Sequence, residues 1–299
     1  MEHVLTLIAS PGGGSLDRAA LETSREALRG LGAVVGSPRW LKQGEAADLP
    51  FDDMAPDAAE AAARHAIGPG LDLVAQRAEG RRKKLLVADM DSTMVIGETL
   101  DELADLAGLK PAIAAITARA MNGELDFAAA LRERVAMLAG LPETALAETH
   151  ARIAMMPGAA TLVATMRANG AYCALVSGGF RYFTTRVAAT LGFDTDQGND
   201  LVVERGVLAG TVAEPILDKD AKLATLRSLA GARGLPLAAT LTVGDGANDL
   251  PMLLAAGLGV AYCAKPAVAA AARVRIDHGD LTALLYAQGY AADEFVTQA

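Results

Sequence analysis

The sequence predicts an α/β protein: a parallel sheet with a helical block inserted after its first strand, preceded by a smaller α+β unit. Two observations carry that prediction. Leu85-Leu86-Val87-Ala88 is a short apolar run without alternation, as expected of a strand buried on both faces of a parallel sheet. Beyond it, residues 100–154 have helical patterning throughout, whereas strand and helix patterns alternate from residue 157 onward.

Taken in order, residues 4–9 read as a strand and 16–31 as an amphipathic helix stopped by Gly32. Residues 33–41 read as a second strand, followed by a polar, proline-containing link; 55–67 read as a helix and 71–77 as a strand. The α+β unit therefore ends near residue 80. Within it, Pro11-Gly12-Gly13-Gly14-Ser15 precedes a helix as an anion-binding loop would. No Gly-Lys-Ser/Thr follows, so a flexible turn is the better reading. Gly80-Arg81-Arg82-Lys83-Lys84 reads as an exposed entry to the first core strand.

The helical block has breaks at Pro111, Gly123 and Gly140-Leu141-Pro142, which fits about four short helices. After it, residues 172–176, 240–243, 259–262 and 274–276 are the strand candidates. Helical stretches lie around 159–168, 180–191, 220–230, 248–256, 266–272 and 281–287, and residues 201–212 with Gly206 read as a hairpin.

At 299 residues the chain has room for more than one unit, and with 52% hydrophobic but only 4% aromatic residues its core must rest on Ala, Leu and Val. The net charge of −9, with residues 81–84 as the one basic run, argues against a nucleic-acid partner. Cys173 and Cys263 both lie in apolar runs and read as buried thiols, not as a disulfide or zinc framework. His3, His65, His150 and His278 have no metal-ligand spacing. The first ten residues lack a secretory pattern, and no run approaches the roughly 18 apolar residues of a membrane helix. A cytoplasmic protein with no membrane partner is expected.

Chemistry concentrates where strands end. Asp89 and Asp91 follow the first core strand, at the carboxyl edge where open α/β sheets bind ligands. With a strand period of two they point the same way, and adjacent acids need a cation or a shared proton unless they merely close a turn. Ser177-Gly178-Gly179 ends a second strand, where a hydroxyl and backbone N–H groups can hold a phosphate. Gly244-Asp245-Gly246-Ala247-Asn248-Asp249 ends a third; its buried acids are costly without a cation, and Mg²⁺ suits them. Lys222 lies in the first turn of a helix, where the dipole disfavours it unless an anion is near. Lys219 competes for that role, but spacing to Leu226 and Leu229 favours Lys222.

This order of motifs resembles the haloacid-dehalogenase-like superfamily of phosphohydrolases. Glu98, the stretch Ala120-Met121-Asn122-Gly123-Glu124-Leu125-Asp126-Phe127 and the stretch Leu131-Arg132-Glu133-Arg134-Val135 make it similar to the phosphoserine phosphatases within that superfamily. The resemblance covers residues 85 to about 287, and more weakly the first 80 residues resemble an ACT-like domain. It implies a Rossmann-like core domain over 81–299, with a helical cap at about 98–155, behind an ACT-like domain over 1–80.

The resemblance also implies roles. Asp89 is expected as nucleophile and Asp91 as general acid and base, with the Asp89 carboxylate, the Asp91 backbone carbonyl and Asp245 holding Mg²⁺. Ser177, Gly178, Lys222 and Asn248 are expected around the phosphate, with Thr93 and Asp249 supporting them. Glu98 suits a substrate ammonium and Arg134 a substrate carboxylate. Met121 and Phe127 would form an apolar wall, although their spacing equally suits a core, and residues 132–134 equally suit a solvated helix face. Pro157-Gly158 is expected as the hinge back from the cap.

The expected reaction is Mg²⁺-dependent hydrolysis of O-phospho-L-serine through an aspartyl-phosphate. The alternatives are another small phosphomonoester or an acceptor alcohol on the same scaffold, and a non-catalytic amino-acid-binding regulator. ACT-like modules bind amino acids or mediate pairing, so serine feedback and a homodimer through the N-terminal unit are its two candidate roles.

Overall fold

The computed structural model describes residues 1–11, 16–121 and 124–297, with the side chains of Ala120, Met121 and Lys219 left aside. The glycine loop at 12–15 and the side chain of Met121, singled out in the sequence, therefore lie outside the described residues, as does the side chain of Lys219.

The N-terminal stretch comprises β1 (His3–Ala9), α1 (Arg18–Gly30), β2 (Val34–Val35), β3 (Arg39–Lys42), β4 (Ala46–Asp52), α2 (Pro56–Ile67) and β5 (Leu71–Arg77). Its sheet runs β2-β4-β1-β5 with β3 also on β4, and every pairing is antiparallel. Helix α1 begins where the Asp17 carboxylate accepts from the Ala20 N–H, and it buries Leu21 and Leu28. The single strand expected over 33–41 is instead two short ones. The link expected after it contains β4, the strand beside β1. Its sequence, Ala-Ala-Asp-Leu-Pro-Phe-Asp, is buried almost throughout, so it shows none of the alternation by which a half-buried strand is recognised.

The second sheet follows from β6 (Leu85–Ala88), whose four residues are all buried. Four helices come next: α3 (Thr99–Leu106), α4 (Lys110–Met121), α5 (Phe127–Ala136) and α6 (Thr144–Arg152). Pro111 lies in the first turn of α4, where a missing N–H costs nothing, rather than between helices. The two segments joining this block to the core pair with each other: Val95 bridges Met155, Ile96 N–H donates to Ala154, and Met156 N–H donates to Met94.

The chain then alternates through α7 (Ala159–Ala168), β7 (Tyr172–Phe180), α8 (Arg181–Leu191) and β8 (Thr195–Asn199). The hairpin β9 (Leu201–Glu204) and β10 (Val207–Val212) leads into α9 (Lys219–Ala232), β11 (Thr240–Gly244), α10 (Leu250–Ala255) and β12 (Leu258–Tyr262). The chain ends in α11 (Pro266–Ala271), β13 (Val274–Ile276) and α12 (Ala283–Ala287). The parallel sheet has the order β13-β12-β11-β6-β7-β8. The order reverses about β6, so its carboxyl end opens on the crevice where such sheets take ligands. β8, Thr-Asp-Gln-Gly-Asn, was not expected as a strand, because it carries no apolar pattern at all.

The two sheets are joined by more than a linker. Ile8, Leu41, Ala46 and Val74 of the first sheet share one hydrophobic core with β6, β7 and α12. Asp72 on β5 is 1% exposed and accepts from the N–H groups of Asp277, His278 and Gly279, just past β13. The basic run is exposed at Gly80, Arg82 and Lys84 but not throughout: Arg81 pairs with buried Asp48, Arg82 with Glu294, and the ammonium of buried Lys83 donates to the carbonyls of Gly80 and Ala238. Cys263, expected to be buried, is exposed, because the chain turns outward there at φ +43° after β12. Among the described residues no helix is long and apolar enough to cross a membrane.

Removing the Asp72 carboxylate would leave three N–H groups, the Gly279 one buried and the other two part-buried, without their acceptor. Asp72→Ala should therefore lower unfolding free energy by about 2–4 kcal/mol, measured by urea denaturation.

Candidate active site

Four of the expected residues, Asp89, Lys222, Asp245 and Asp249, meet at the carboxyl end of the parallel sheet. Asp89 leaves β6 with its backbone N–H donating to Val243 on β11, and its side chain is 5% exposed. The Lys222 ammonium, from the first turn of α9, donates to Asp89 Oδ1 at 2.6 Å and also to Asp249 Oδ1. Asp249 turns its other oxygen to the Gly246 N–H at 2.9 Å, closing the loop that carries Asp245. One ammonium thus serves two buried carboxylates. Burial opposes the charge on Lys222, but Asp89 and Asp249 outweigh it and raise the group above the ordinary lysine range. Burial and then the charge of Asp249 push Asp89 well above the usual carboxylate range, against the pull of Lys222. Asp245 is also pushed up, chiefly by burial, with Lys265 opposing from 3.6 Å.

Asp89, Asp245 and Asp249 each bring an oxygen within 4.8 Å of the others. Both Asp249 oxygens are taken by Lys222 and Gly246, so Asp89 and Asp245 are the carboxylates left to face a cation. An all-oxygen set with surplus negative charge fits a hard divalent ion. Asp91 stands apart from that triad. Its carboxylate accepts from the Thr99 N–H at 3.0 Å and the Thr99 hydroxyl at 3.3 Å. Burial, with the charge of Glu98, raises it to about 7. The metal contact expected of Asp91 is its backbone carbonyl, and the carboxylate itself is held by Thr99. Thr99 was missed in the sequence, because nothing marks a helix-start threonine as a partner for an acid eight residues earlier.

The Ser177-Gly178-Gly179 turn completes this end of the sheet. Ser177 Oγ accepts from the Gly179 N–H at 2.9 Å, which leaves its hydroxyl hydrogen to donate elsewhere. Both glycines are needed for close approach. A Cβ on Gly179 would lie 2.8 Å from Asp91 Oδ2, and one on Gly178 would lie 2.8 Å from Phe127 Cζ. Phe127, at the start of α5, therefore stands against the turn while packing on the main core. Asn248 is half-buried in the loop before α10. Thr93 is fully buried, and among the described residues its hydroxyl has no hydrogen-bond partner.

Two expected substrate groups come from the helical block and its entry. Glu98 is exposed, accepts from the Ser92 hydroxyl at 3.0 Å, and its charge is felt by Asp91, Asp245 and Arg134. Arg134 is half-buried, with burial lowering its pKa against Asp101 and Glu98. Its Nε donates to the Ala130 carbonyl at 3.2 Å, and among the described residues no carboxylate closes on its terminal nitrogens. The solvated-face reading suits Arg132 and Glu133, which pair with Glu214 and Arg119, but not Arg134.

Comparison with known proteins agrees with this arrangement. Residues 86–254 match the family model of the haloacid dehalogenase-like hydrolases. The chain is 45% identical over 214 residues to phosphoserine phosphatase SerB2 of Mycobacterium tuberculosis, covering 72% of this chain and 52% of that protein. It is 45% identical over 203 residues to a phosphoserine phosphatase of Lactococcus lactis, covering 68% of this chain and 94% of that one. The chain thus spans about half the length of the Mycobacterium relative. Among solved structures, a probable phosphoserine phosphatase from Vibrio cholerae, in unliganded form, superposes with a TM-score of 0.78 at 32% identity, over 98% of this chain and 88% of that one.

Replacing Lys222 by Met would leave Asp89 and Asp249 buried with no ammonium between them. In metal-free buffer above neutral pH, Lys222→Met should cost about 3–5 kcal/mol of stability. Asp89, already pushed up by burial and by the charge of Asp249, then binds its proton more tightly folded than unfolded, so the penalty shrinks as pH falls. The gap between variant and wild type in urea melts should narrow from about pH 8 to about pH 5.

Proposed function

The chain belongs to the haloacid dehalogenase-like hydrolase family, and from that premise we propose that it is a phosphoserine phosphatase, hydrolysing O-phospho-L-serine to L-serine and phosphate. The observation that carries the reading is the division of labour between two acids. Asp89 is locked to Lys222 at the strand end, while Asp91, two residues on, is held apart by Thr99 with a pKa of about 7.

In this reading Asp89 attacks phosphorus with the oxygen that Lys222 leaves free. The bond from phosphorus to the serine oxygen breaks, a bond to Asp89 forms, and Asp91 gives its proton to the departing alkoxide. Water then attacks the aspartyl-phosphate while Asp91 takes the water's proton, and phosphate leaves with Asp89 restored. A pKa near 7 suits a group that must give and then take a proton. The Ser177 hydroxyl, the Gly178 N–H and Lys222 hold the phosphoryl oxygens, with Asn248 beside them. Mg²⁺, held by Asp89, Asp245 and the Asp91 backbone carbonyl, would offset negative charge on the phosphoryl group.

We read the four-helix insertion, about residues 98–155, as a cap that supplies specificity. Glu98 takes the substrate ammonium, Arg134 its carboxylate, and Met121 with Phe127 covers the site from water. The order β-α-β-β-β-α-β of residues 1–80, a ferredoxin-like arrangement with one extra short strand, supports reading them as an ACT-like domain ahead of a phosphatase domain over 81–299. The reaction would release serine at the end of its biosynthesis, in the cytoplasm.

Wild type should release phosphate from O-phospho-L-serine only with Mg²⁺ present, and Asp89→Asn should lower that rate by at least about 10³-fold. Release from a generic phosphate ester alone would discard the substrate and keep the chemistry. Arg134→Ala should lower kcat/KM for O-phospho-L-serine by about 10- to 100-fold, while 4-nitrophenyl phosphate, which lacks the carboxylate, is hydrolysed nearly as before. Equal losses on both esters would remove the carboxylate role.

A further inference from the structure

The least strand-like strand of the parallel sheet is the one that touches both halves of the anion site. Asn199, the last residue of β8, is 2% exposed. Its amide Nδ2 donates to the Gly178 carbonyl at 2.7 Å, and its Oδ1 accepts from the Leu217 N–H at 2.7 Å. Nδ2 also lies 3.5 Å from the Leu217 carbonyl. One side chain therefore spans the Ser177–Gly179 turn and the peptide just before α9.

Each contact has a consequence one residue further on. The Gly178–Gly179 peptide is planar and trans, so anchoring its carbonyl fixes the direction of the Gly179 N–H. That N–H donates to Ser177 Oγ and so orients the hydroxyl. On the other side, Leu217 precedes Asp218, whose carboxylate caps α9 by accepting from the N–H groups of Asp220 and Ala221. Anchoring Leu217 thus sets where the first turn of α9 begins, and Lys222 lies in that turn. We propose that Asn199 is a positioning residue for phosphoryl transfer: it locks the Ser177 hydroxyl and the Lys222 ammonium at the spacing that one phosphoryl group requires. The proposal rests on the phosphatase reading above, but not on which alcohol carries the phosphate.

The neighbours of Asn199 are arranged for the same end. A Cβ on Gly198 would lie 2.8 Å from the Arg181 backbone nitrogen and 3.0 Å from the Phe180 carbonyl carbon, so only glycine lets β8 come this close to the end of β7. Gln197 Oε1 accepts from the Thr225 hydroxyl at 2.8 Å, a second tie from β8 to α9 one turn beyond Lys222. Asp196 accepts from the hydroxyls of Thr184 and Thr185, fixing the strand to α8. The polar residues of this strand are spent on aligning three elements, which explains why a sheet strand should be so poor in apolar side chains.

The test compares wild type with Asn199→Asp and Asn199→Ala, in the presence of Mg²⁺, on O-phospho-L-serine and on 4-nitrophenyl phosphate. Asn199→Asp keeps an acceptor for the Leu217 N–H but sets a carboxylate against the Gly178 carbonyl; Asn199→Ala removes both ties. Displacement of the anion groups by about 1 Å should cost about 10²-fold in kcat on both esters. KM for O-phospho-L-serine should stay within about threefold, because Glu98 and Arg134 are untouched. Orthovanadate, which mimics the five-coordinate phosphorus, should lose affinity in parallel with kcat. A folded variant, judged by its melting temperature, with kcat within about twofold of wild type would overturn the proposal. So would a lowered melting temperature with wild-type kcat, which is the mark of a purely structural residue. A loss confined to O-phospho-L-serine would overturn it too. Wild-type turnover of 4-nitrophenyl phosphate alone would sink the substrate reading, and the role of Asn199 would then be decided on that ester.

Discussion

The structure depends on one ammonium held between two carboxylates. Lys222 reaches from α9 to Asp89 at the end of β6 and to Asp249 in the loop after β11. Burying such a cluster costs desolvation of every member, and the cost is offset only by tight geometry and by the further hydrogen bond that Asp249 receives from Gly246. The result is a junction of three chain segments far apart in sequence. Its surplus negative charge suits a cation and, beyond that, the charged oxygens of a phosphoryl group.

Around this junction the side chains come from two parts of the fold. The parallel sheet supplies Asp89, Asp91, Ser177 and Asp245 from strand ends, which hold position because the strands behind them are buried. The helical block supplies Glu98, Phe127 and Arg134, and it is attached by a narrow ribbon at Val95 and Met155. It is also tied to the β9–β10 hairpin, where Gly140 N–H donates to Leu208, Leu208 N–H to Leu141, and Glu143 N–H to Gly206. The hairpin leads directly into the segment that Asn199 anchors before α9. The helical block is thereby connected, through the hairpin, to the side of the site that carries Lys222.

The N-terminal sheet bears on the same framework from the other edge. Asp72 gathers the N–H groups of residues 277–279, and two residues later Leu281 N–H donates to Pro157 at the return from the helical block. Gly158 fits there with φ +81°, and a Cβ on it would lie 2.7 Å from the Thr282 backbone nitrogen. The first sheet is thus tied, through Asp72, to the segment that holds residues 157–158, which no reading of a separable appendage would anticipate.

Sequence alone determined the parts whose logic is local. Apolar runs ending in Asp89-Met90-Asp91, Ser177-Gly178-Gly179 and Gly244-Asp245 identified three central strands and the edge on which chemistry gathers, because burial on both faces and a polar strand end are written in consecutive residues. The insertion of four helices was legible for the same reason, from helical patterning that no strand candidate interrupts. Tertiary structure decided what depends on residues distant in the chain. β4 and β8 were invisible because one is buried on both faces around a proline and the other spends its side chains on helices and loops rather than on a core. Thr99 beside Asp91, Asn199 between Gly178 and Leu217, and the choice of Arg134 over Arg132 as the cation without a carboxylate partner are facts of approach, not of pattern. A hydrogen bond across 21 residues, as from Asn199 to Gly178, leaves no periodic trace in the chain, since its energy depends on distance in space alone.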